Sequence, residues 1–316
     1  MEKRALGKSG INVSPFCFGG NVFGWTVDEK QSFGILDAYV DSGLEFIDTA
    51  DVYSKWKPGN KGGESETIIG NWLKQSGKRD RVIIATKVGK PMGENKKGLS
   101  KAYITQAVED SLTRLKTDYI DLYQSHEDDP NISLEETLST FTDLIKQGKV
   151  RAIGASNFSA ARLQEALKVS QANGFARYET LQPEYNLYDR QEYENEYESI
   201  CLNNNLGVIT FYSLASGFLS GKYRSEADLS KSARGGGVKK YLNDRGFKIL
   251  DALEQVASKY QTTPAAVAIA WVIAHKGITA PIASATSLKQ LEDITAAVRL
   301  NLDQAATDLL TEASRY

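Results

Sequence analysis

Four side chains in the first half of the chain have the types and spacing of a proton-transfer site. Asp48 and Tyr53 lie in "EFIDTADVYSKW", residues 45–56; Lys87 ends "RVIIATK" and His126 ends "IDLYQSH". A tyrosine, with a pKa of about 10, is a poor acid at neutral pH. A nearby ammonium stabilises its phenolate and lowers that pKa. A carboxylate beside the lysine keeps the ammonium charged and oriented. A histidine can donate a hydrogen bond to an oxygen on which negative charge grows. Together the four suit delivery of a proton to a carbonyl oxygen as hydride arrives at carbon. Hydride transfer needs a cofactor. Each residue alone has a plainer reading: Asp48 and Asp51 as turn residues, Lys87 as a surface lysine, His126 as a hydrogen-bonded structural histidine. Of the two aspartates, Asp48 goes with the lysine and tyrosine, and Asp51 with the turn.

The elements that must position these residues are short β-type runs alternating with longer helical patterns. The runs are "SPFCFGG", "EFIDTA", "RVIIATK", "IDLYQSH", "VRAIGAS", "ETLQPEY", "GVITFYS" and "ITAPIAS". Several are apolar at consecutive positions, as strands buried on both faces are. Eight such runs predict an α/β fold, a (β/α)₈ TIM barrel forming one domain over 1–316. In that fold functional side chains come from the C-terminal ends of the strands. Polar or titratable residues stand at that end of the runs: Asp48, Lys87, His126, Ser156-Asn157, Gln182, Tyr212-Ser213 and Ser284 to Ser287.

Helix starts are legible at Ser133-Leu-Glu-Glu136 and Asp189-Arg-Gln-Glu192, and at Thr263-Pro264, an N-cap followed by proline at the first helical position. Gly43, Gly77, Gly148 and Gly174 stand where helices should stop. "KRALGKSGINVSP" reads as an N-terminal β-hairpin turning between Gly7 and Gly10, placed to plug the bottom of a barrel. A further helix over about 302–314 ends the chain. The polar stretch after the seventh run, residues 218–245, reads as a flexible loop, and Lys239-Lys240 near Arg234 as its solvated part.

Composition excludes several classes. The net charge is −2 and 41% of residues are apolar, so nothing points to nucleic acid or an anionic membrane. The two cysteines, Cys17 and Cys201, make no disulfide framework or metal spacing. Two histidines, His126 and His275, are too few for a His-rich hydrolytic metal centre, and no metal is expected. The charged N-terminus lacks the apolar stretch of a signal peptide, and a cytoplasmic location is expected.

At the four residues named first, the sequence resembles the aldo-keto reductases, NAD(P)H-dependent barrel enzymes, from "RALGKSGINVSPFCFGG" to "ATSLKQLED". The family's catalytic Asp, Tyr, Lys and His fall on Asp48, Tyr53, Lys87 and His126. The resemblance implies that Ser156 and Asn157 of "GASNF", with Gln182, hold a nicotinamide carboxamide. It implies that Tyr212 stacks on the nicotinamide ring. The backbone at Ser213, Leu214, Ser216 and Gly217, with Lys222, would line the pyrophosphate. A small-molecule carbonyl or alcohol is the implied partner.

The last cofactor segment departs from the family pattern. Where Gly or Lys, Arg or Gln, and a closing Glu-Asn are usual, "SATSLKQLEDI" has Ser284, Gln290 and Ile294. The adenine-contacting Asn is missing, and no Arg stands ready to clamp a 2′-phosphate. Ser284, Thr286, Ser287 and Lys289 could bind a phosphate, partly through a helix N-terminus. NADP(H) is therefore favoured by resemblance, with NAD(H) possible. Ser287 to Gln290 also reads as a capping box, which would make Gln290 structural.

Trp25 and Trp56 follow strand ends and are candidates for a substrate-pocket wall; the alternative is a surface-anchored loop. Two other functions fit parts of the pattern. The β-subunits of voltage-gated potassium channels share the family fold and bind nicotinamide nucleotides. A carboxylate hydrolase could pair Asp48 with Asp128 or Asp129, but would leave Tyr53 and Lys87 without a role.

Overall fold

A computed structural model describes residues 2–316. Eight parallel strands close into a barrel: β3 (Cys17–Gly19), β4 (Phe46–Asp48), β5 (Ile83–Val88), β6 (Ile120–Ser125), β7 (Val150–Ser156), β8 (Tyr178–Gln182), β9 (Gly207–Thr210) and β10 (Ile278–Ala283). All eight expected runs are strands. An antiparallel pair precedes them, β1 (Arg4–Ala5) and β2 (Asn12–Val13).

Alternation along each strand sorts side chains between two cores. Cys17, Phe46, Ala85, Leu122, Ala152, Ile209 and Ala280 point inward and pack with Leu6, Ile11 and Val13 of the hairpin. The hairpin is therefore the expected plug. Phe18, Ile47, Ile84, Tyr123 and Ile153 point outward into a larger core shared with the helices. Burying each large apolar side chain is worth about 1.5–3 kcal/mol, so a one-residue slip of any strand would cost heavily. Counting two residues onward from the inward positions gives Asp48 after Phe46, Lys87 after Ala85 and Gln124 after Leu122. The polar layer at the barrel mouth is thus the continuation of the apolar interior.

The helices have local causes. α1 (Glu29–Asp41) starts at Asp28 and is followed by Gly43; α2 (Glu64–Ser76) ends on Gly77. α3 (Lys101–Leu115) is capped by Ser100. α4 (Leu134–Lys146) is capped by Ser133 alone, because the Glu136 carboxylate accepts from the Lys101 N–H at 2.8 Å instead. α5 (Ala160–Asn173) ends on Gly174. The start expected at Asp189 is not an N-cap: its carboxylate accepts from the Tyr241 hydroxyl at 2.7 Å. There the chain makes a π-type turn, Tyr193–Tyr197, before α6 (Glu198–Asn204). α7 (Asp244–Tyr260) precedes α8 (Pro264–Ala274), which Thr263 caps with Pro264 in its first turn. α9 (Leu288–Thr295) and the expected terminal helix, α10 (Gln304–Ala313), complete the chain.

The stretch 218–245, whose polarity suggests a flexible loop, carries local structure. It folds as short 3₁₀ turns, Ala215–Ser220, Glu226–Lys231 and Gly235–Tyr241. Phe218, Leu219, Tyr223, Val238 and Tyr241 are buried among the polar residues and anchor it. Phe218 stacks on Tyr241 with ring centres 5.3 Å apart. Among the described residues, no helix is long and apolar enough to cross a membrane.

Candidate active site

The polar layer at the mouth is a single hydrogen-bonded group. Lys87 Nζ donates to Asp48 Oδ2 at 2.7 Å, to the Thr49 carbonyl at 2.8 Å and to the Tyr53 hydroxyl at 2.8 Å. The Tyr53 hydroxyl lies 3.1 Å from Asp48 Oδ2. The other carboxylate oxygen accepts from Gln182 Nε2 at 2.9 Å and Gln124 Nε2 at 3.4 Å. Asp48 and Lys87 are fully enclosed. Asp48, Lys87, Gln124 and Gln182 come from four strands, and a tight turn after β4 brings Tyr53 back over them. The Tyr53 N–H closes that turn on the Ala50 carbonyl.

Electrostatics corrects one expectation. Burial, then the Asp48 charge, holds the Tyr53 phenol well above the ordinary tyrosine value. The lysine was expected to lower it, but its charge is shared with the carboxylate. Tyr53 is half-buried beside the cleft. Burial also pulls Lys87 below the ordinary lysine value, and Asp48 offsets part of that. His126 is pushed well below the ordinary histidine value by burial, then by Lys87 and Lys90. It is a neutral imidazole, 5.9 Å from Tyr53 between ring centres.

These groups form the floor of a cleft of about 1100 Å³. Ser156, Asn157, Gln182, Tyr212, Ser213 and Leu214 line it, as do Ser216, Gly217 and Lys222 farther along and Ser284, Thr286 and Gln290 at the far wall. Asn157 Nδ2 donates to the His126 carbonyl at 2.8 Å, and Ser156 Oγ to the Gln182 carbonyl at 2.9 Å. The Tyr212 ring is 50% exposed, an open aromatic face. Tyr212, Ala215 and Ser216 adopt left-handed backbone with φ of 52°, 48° and 57°. That conformation is costly for residues with a Cβ, and here it shapes the wall after β9.

Ser287 does not line the cleft: it caps α9, accepting from the Gln290 N–H. Gln290 Oε1 accepts from the Thr286 N–H at 2.9 Å and hydroxyl at 3.0 Å. Gln290 is thus both a wall residue and a clamp on the start of α9. Trp56, 48% exposed, lines the cleft. Trp25 packs edge-on behind it, ring centres 5.6 Å apart. Asp51 occupies the expected turn but is buried, and both its carboxylate oxygens lack a partner. Burial and Glu66 push it well above the usual carboxylate range.

Several site residues escaped the sequence reading. Gln124 holds Asp48 and was legible as the inward neighbour two positions before His126. Gly19, the last residue of β3, and Asn21 beyond it line the cleft, and Asn21 accepts from Ser284 Oγ at 2.6 Å. A Cβ on Gly19 would stand 2.6 Å from that Oγ. Lys90 and Arg234 also face the cleft, Arg234 from the stretch 218–245. The hydrolase pairing fails on position: Asp128 is bound by Arg162 Nε at 3.0 Å, and Asp129 by the Leu99 N–H at 3.0 Å. Among the described residues, no group of three or more His, Cys, Asp or Glu could hold a metal ion.

A model of the aldo/keto reductase family matches residues 15–315. The chain is 35% identical to an uncharacterized oxidoreductase, YrpG, of Bacillus subtilis (strain 168), over 99% of this chain and 95% of that protein. It is 34% identical to the aldo-keto reductase YhdN of the same strain, over 92% and 87%. It is also 33% identical to a probable voltage-gated potassium channel subunit beta of Arabidopsis thaliana, over 93% and 90%.

Proposed function

The chain belongs to the aldo/keto reductase family, and from that premise we propose that it reduces an aldehyde or ketone to an alcohol with NAD(P)H, Tyr53 supplying the proton. One observation carries this reading: the Tyr53 hydroxyl, bound to Lys87 at 2.8 Å, faces the same floor as neutral His126. The cleft fits a dinucleotide. It offers the open Tyr212 face beside Ser156 and Asn157, the left-handed wall with Lys222, and Ser284 and Thr286 ahead of α9. When bound, the nicotinamide supplies the hydride.

The chain's own residues handle the proton. The raised phenol keeps Tyr53 protonated at neutral pH, as an acid must be. An alkoxide is far more basic than a phenolate, so transfer from Tyr53 runs downhill despite the raised value. Lys87 then stands beside the phenolate, and the Gln124–Gln182–Asp48 network holds Lys87 in place. His126, neutral, orients the carbonyl oxygen through an N–H. In the oxidative direction Tyr53 serves as the base.

NADP(H) is the favoured dinucleotide, with NAD(H) the second reading. Lys289, at the start of α9, is bridged to Asp293 at 2.6 Å, so 2′-phosphate binding there competes with an existing ion pair. Titration with NADPH and NADH, followed by a carbonyl panel with the tighter one, tests the proposal. Binding of neither nucleotide, or no reduction of any carbonyl, would sink it. A channel-subunit-like module with little turnover is the alternative; the intact contacts among Asp48, Tyr53 and Lys87 support turnover. A carbonyl panel without activity despite tight nucleotide binding would favour the module.

A further inference from the structure

A second cavity, of about 440 Å³, lies between the turn after β4, the turn at 92–97 and α3. It shares no lining residue with the cleft, and its size suits a small organic molecule. Asp51 stands at its floor, 2% exposed, with both carboxylate oxygens enclosed and without a hydrogen-bond partner. The Tyr123 hydroxyl, on which the Asp51 charge acts, is likewise buried without a partner. Buried polar groups in native folds are hydrogen-bonded, so a carboxylate unclaimed on both oxygens points to a donor from outside the chain.

The cations close to Asp51 are engaged elsewhere. Arg114 lines the cavity and acts on Asp51. Its Nε, however, donates to Glu66 at 2.6 Å and its Nη2 to the Ser111 hydroxyl at 3.1 Å. Lys87 is committed to Asp48, Thr49 and Tyr53. The other carboxylate in the wall, Asp110, accepts from Gln106 Nε2 at 2.9 Å.

The cavity is polarised from floor to mouth. Lys96 and Lys97 line it from exposed positions, with Glu94 beside them. The half-buried Tyr103 forms part of the wall, and an aromatic face attracts an ammonium. Met92 is the cover nearest the floor. A Cβ on Gly62 would stand 2.7 Å from Met92 Cε and 3.2 Å from the Asp51 carbonyl oxygen, so the thioether end lies beside Asp51. An unbranched methionine side chain moves aside readily.

We propose that this cavity binds a small amino-acid-like zwitterion, its ammonium paired with Asp51 and its carboxylate with Lys96 and Lys97. The pairing at the floor would be charge-assisted and shielded from water. Burial and Glu66 push Asp51 toward its neutral form, and an ammonium beside it would reverse that. Asp51 stands two residues before Tyr53, and its N–H donates to the Lys87 carbonyl at 3.3 Å. The ligand would therefore border the turn that carries the proposed acid, while its binding does not depend on the carbonyl-reductase reading.

The test is ligand-observed NMR with 4-aminobutyrate and 6-aminohexanoate, beside butylamine and butyrate, which each carry one of the two charges. At least one of the zwitterions should bind the parent protein with a dissociation constant of about 1 mM, and more tightly than either singly charged probe. Asp51→Asn keeps the shape but removes the charge, and should weaken that binding about 10-fold or more. Ala102→Trp, on the exposed first turn of α3 where it lines the mouth, should weaken it by obstruction without touching the core. Excess NADPH should not displace the ligand. Binding of neither zwitterion overturns the proposal, as does a singly charged probe that binds as tightly. Unchanged binding in Asp51→Asn or in Ala102→Trp also overturns it. Displacement by NADPH would place the ligand in the cleft and overturn it as well.

Discussion

The Tyr53 hydroxyl accepts a hydrogen bond from Lys87 Nζ at 2.8 Å, yet its phenol sits well above the ordinary tyrosine value. The two facts agree once Asp48 is included. Lys87 is paired with that carboxylate, at 2.7 Å, and burial, then the Asp48 charge, raises the phenol. The network keeps a proton on Tyr53 until a stronger base appears in the cleft.

Tyr53→Phe removes that proton and little else. The ring still meets Trp56 and His126, so the cleft keeps its shape. Turnover of any aldehyde substrate should fall about 10²–10⁴-fold, with nucleotide affinity nearly unchanged. Single-turnover kinetics beside a nucleotide titration checks both. A variant that reduces aldehydes at the parent rate would show that Tyr53 is not the acid.

Lys87→Met should cost more in stability than in packing volume. It leaves the enclosed Asp48 charge without its partner, a loss of about 3–5 kcal/mol. Adding Asp48→Asn removes the orphaned charge and should restore most of that stability while turnover stays absent. Denaturant unfolding of the single and double variants measures the difference. If the double variant is no more stable than the single one, the loss does not come from the unpaired carboxylate.

His126 gives a pH signature with a definite sign. Its folded value is depressed, so below about pH 6.5 the unfolded chain takes up a proton that the folded protein refuses. Its contribution is therefore complete above that pH and is lost as pH falls, at up to about 1.4 kcal/mol per pH unit. Unfolding free energies between pH 5 and 8 should fall less steeply on the acid side in His126→Gln than in the parent. Equal slopes would mean that His126 titrates normally in the folded state.

Gly19→Ala tests the shape of the cleft wall. The added carbon would stand 2.6 Å from Ser284 Oγ and 2.9 Å from Ile282 Cγ2. Overpacking of this kind costs about 1–3 kcal/mol and should weaken nucleotide binding by narrowing the cleft. Adding Ser284→Ala relieves one of the two clashes and should recover part of the stability. Thermal melts and nucleotide titrations of both variants give the comparison. An additive double variant would place the strain elsewhere.

Much of the fold was legible because its causes are local. Consecutive apolar positions mark strands buried on both faces, and counting by two from the inward residues leads to Asp48, Lys87 and Gln124. The glycine stops and the Thr263-Pro264 start need only their own backbone. The capping residues were less secure, because Glu136 and Asp189 found partners on other elements, at Lys101 and Tyr241. Composition misled at 218–245, where five buried anchors are scattered among polar residues and only their partners reveal them.

By itself, then, the sequence determined the barrel, its hairpin plug, and which polar residues end the strands, since periodicity and burial on two faces are properties of short segments. Tertiary structure alone decided how those residues act on one another. It tied Gln182 to Asp48 across 134 positions, set the direction of the Tyr53 and His126 shifts, and carried Arg234 from an apparently solvated loop to the rim above Trp25. Hydrogen bonds and charge interactions depend on distance in space, and only the closed barrel brings these distant segments within a few ångströms.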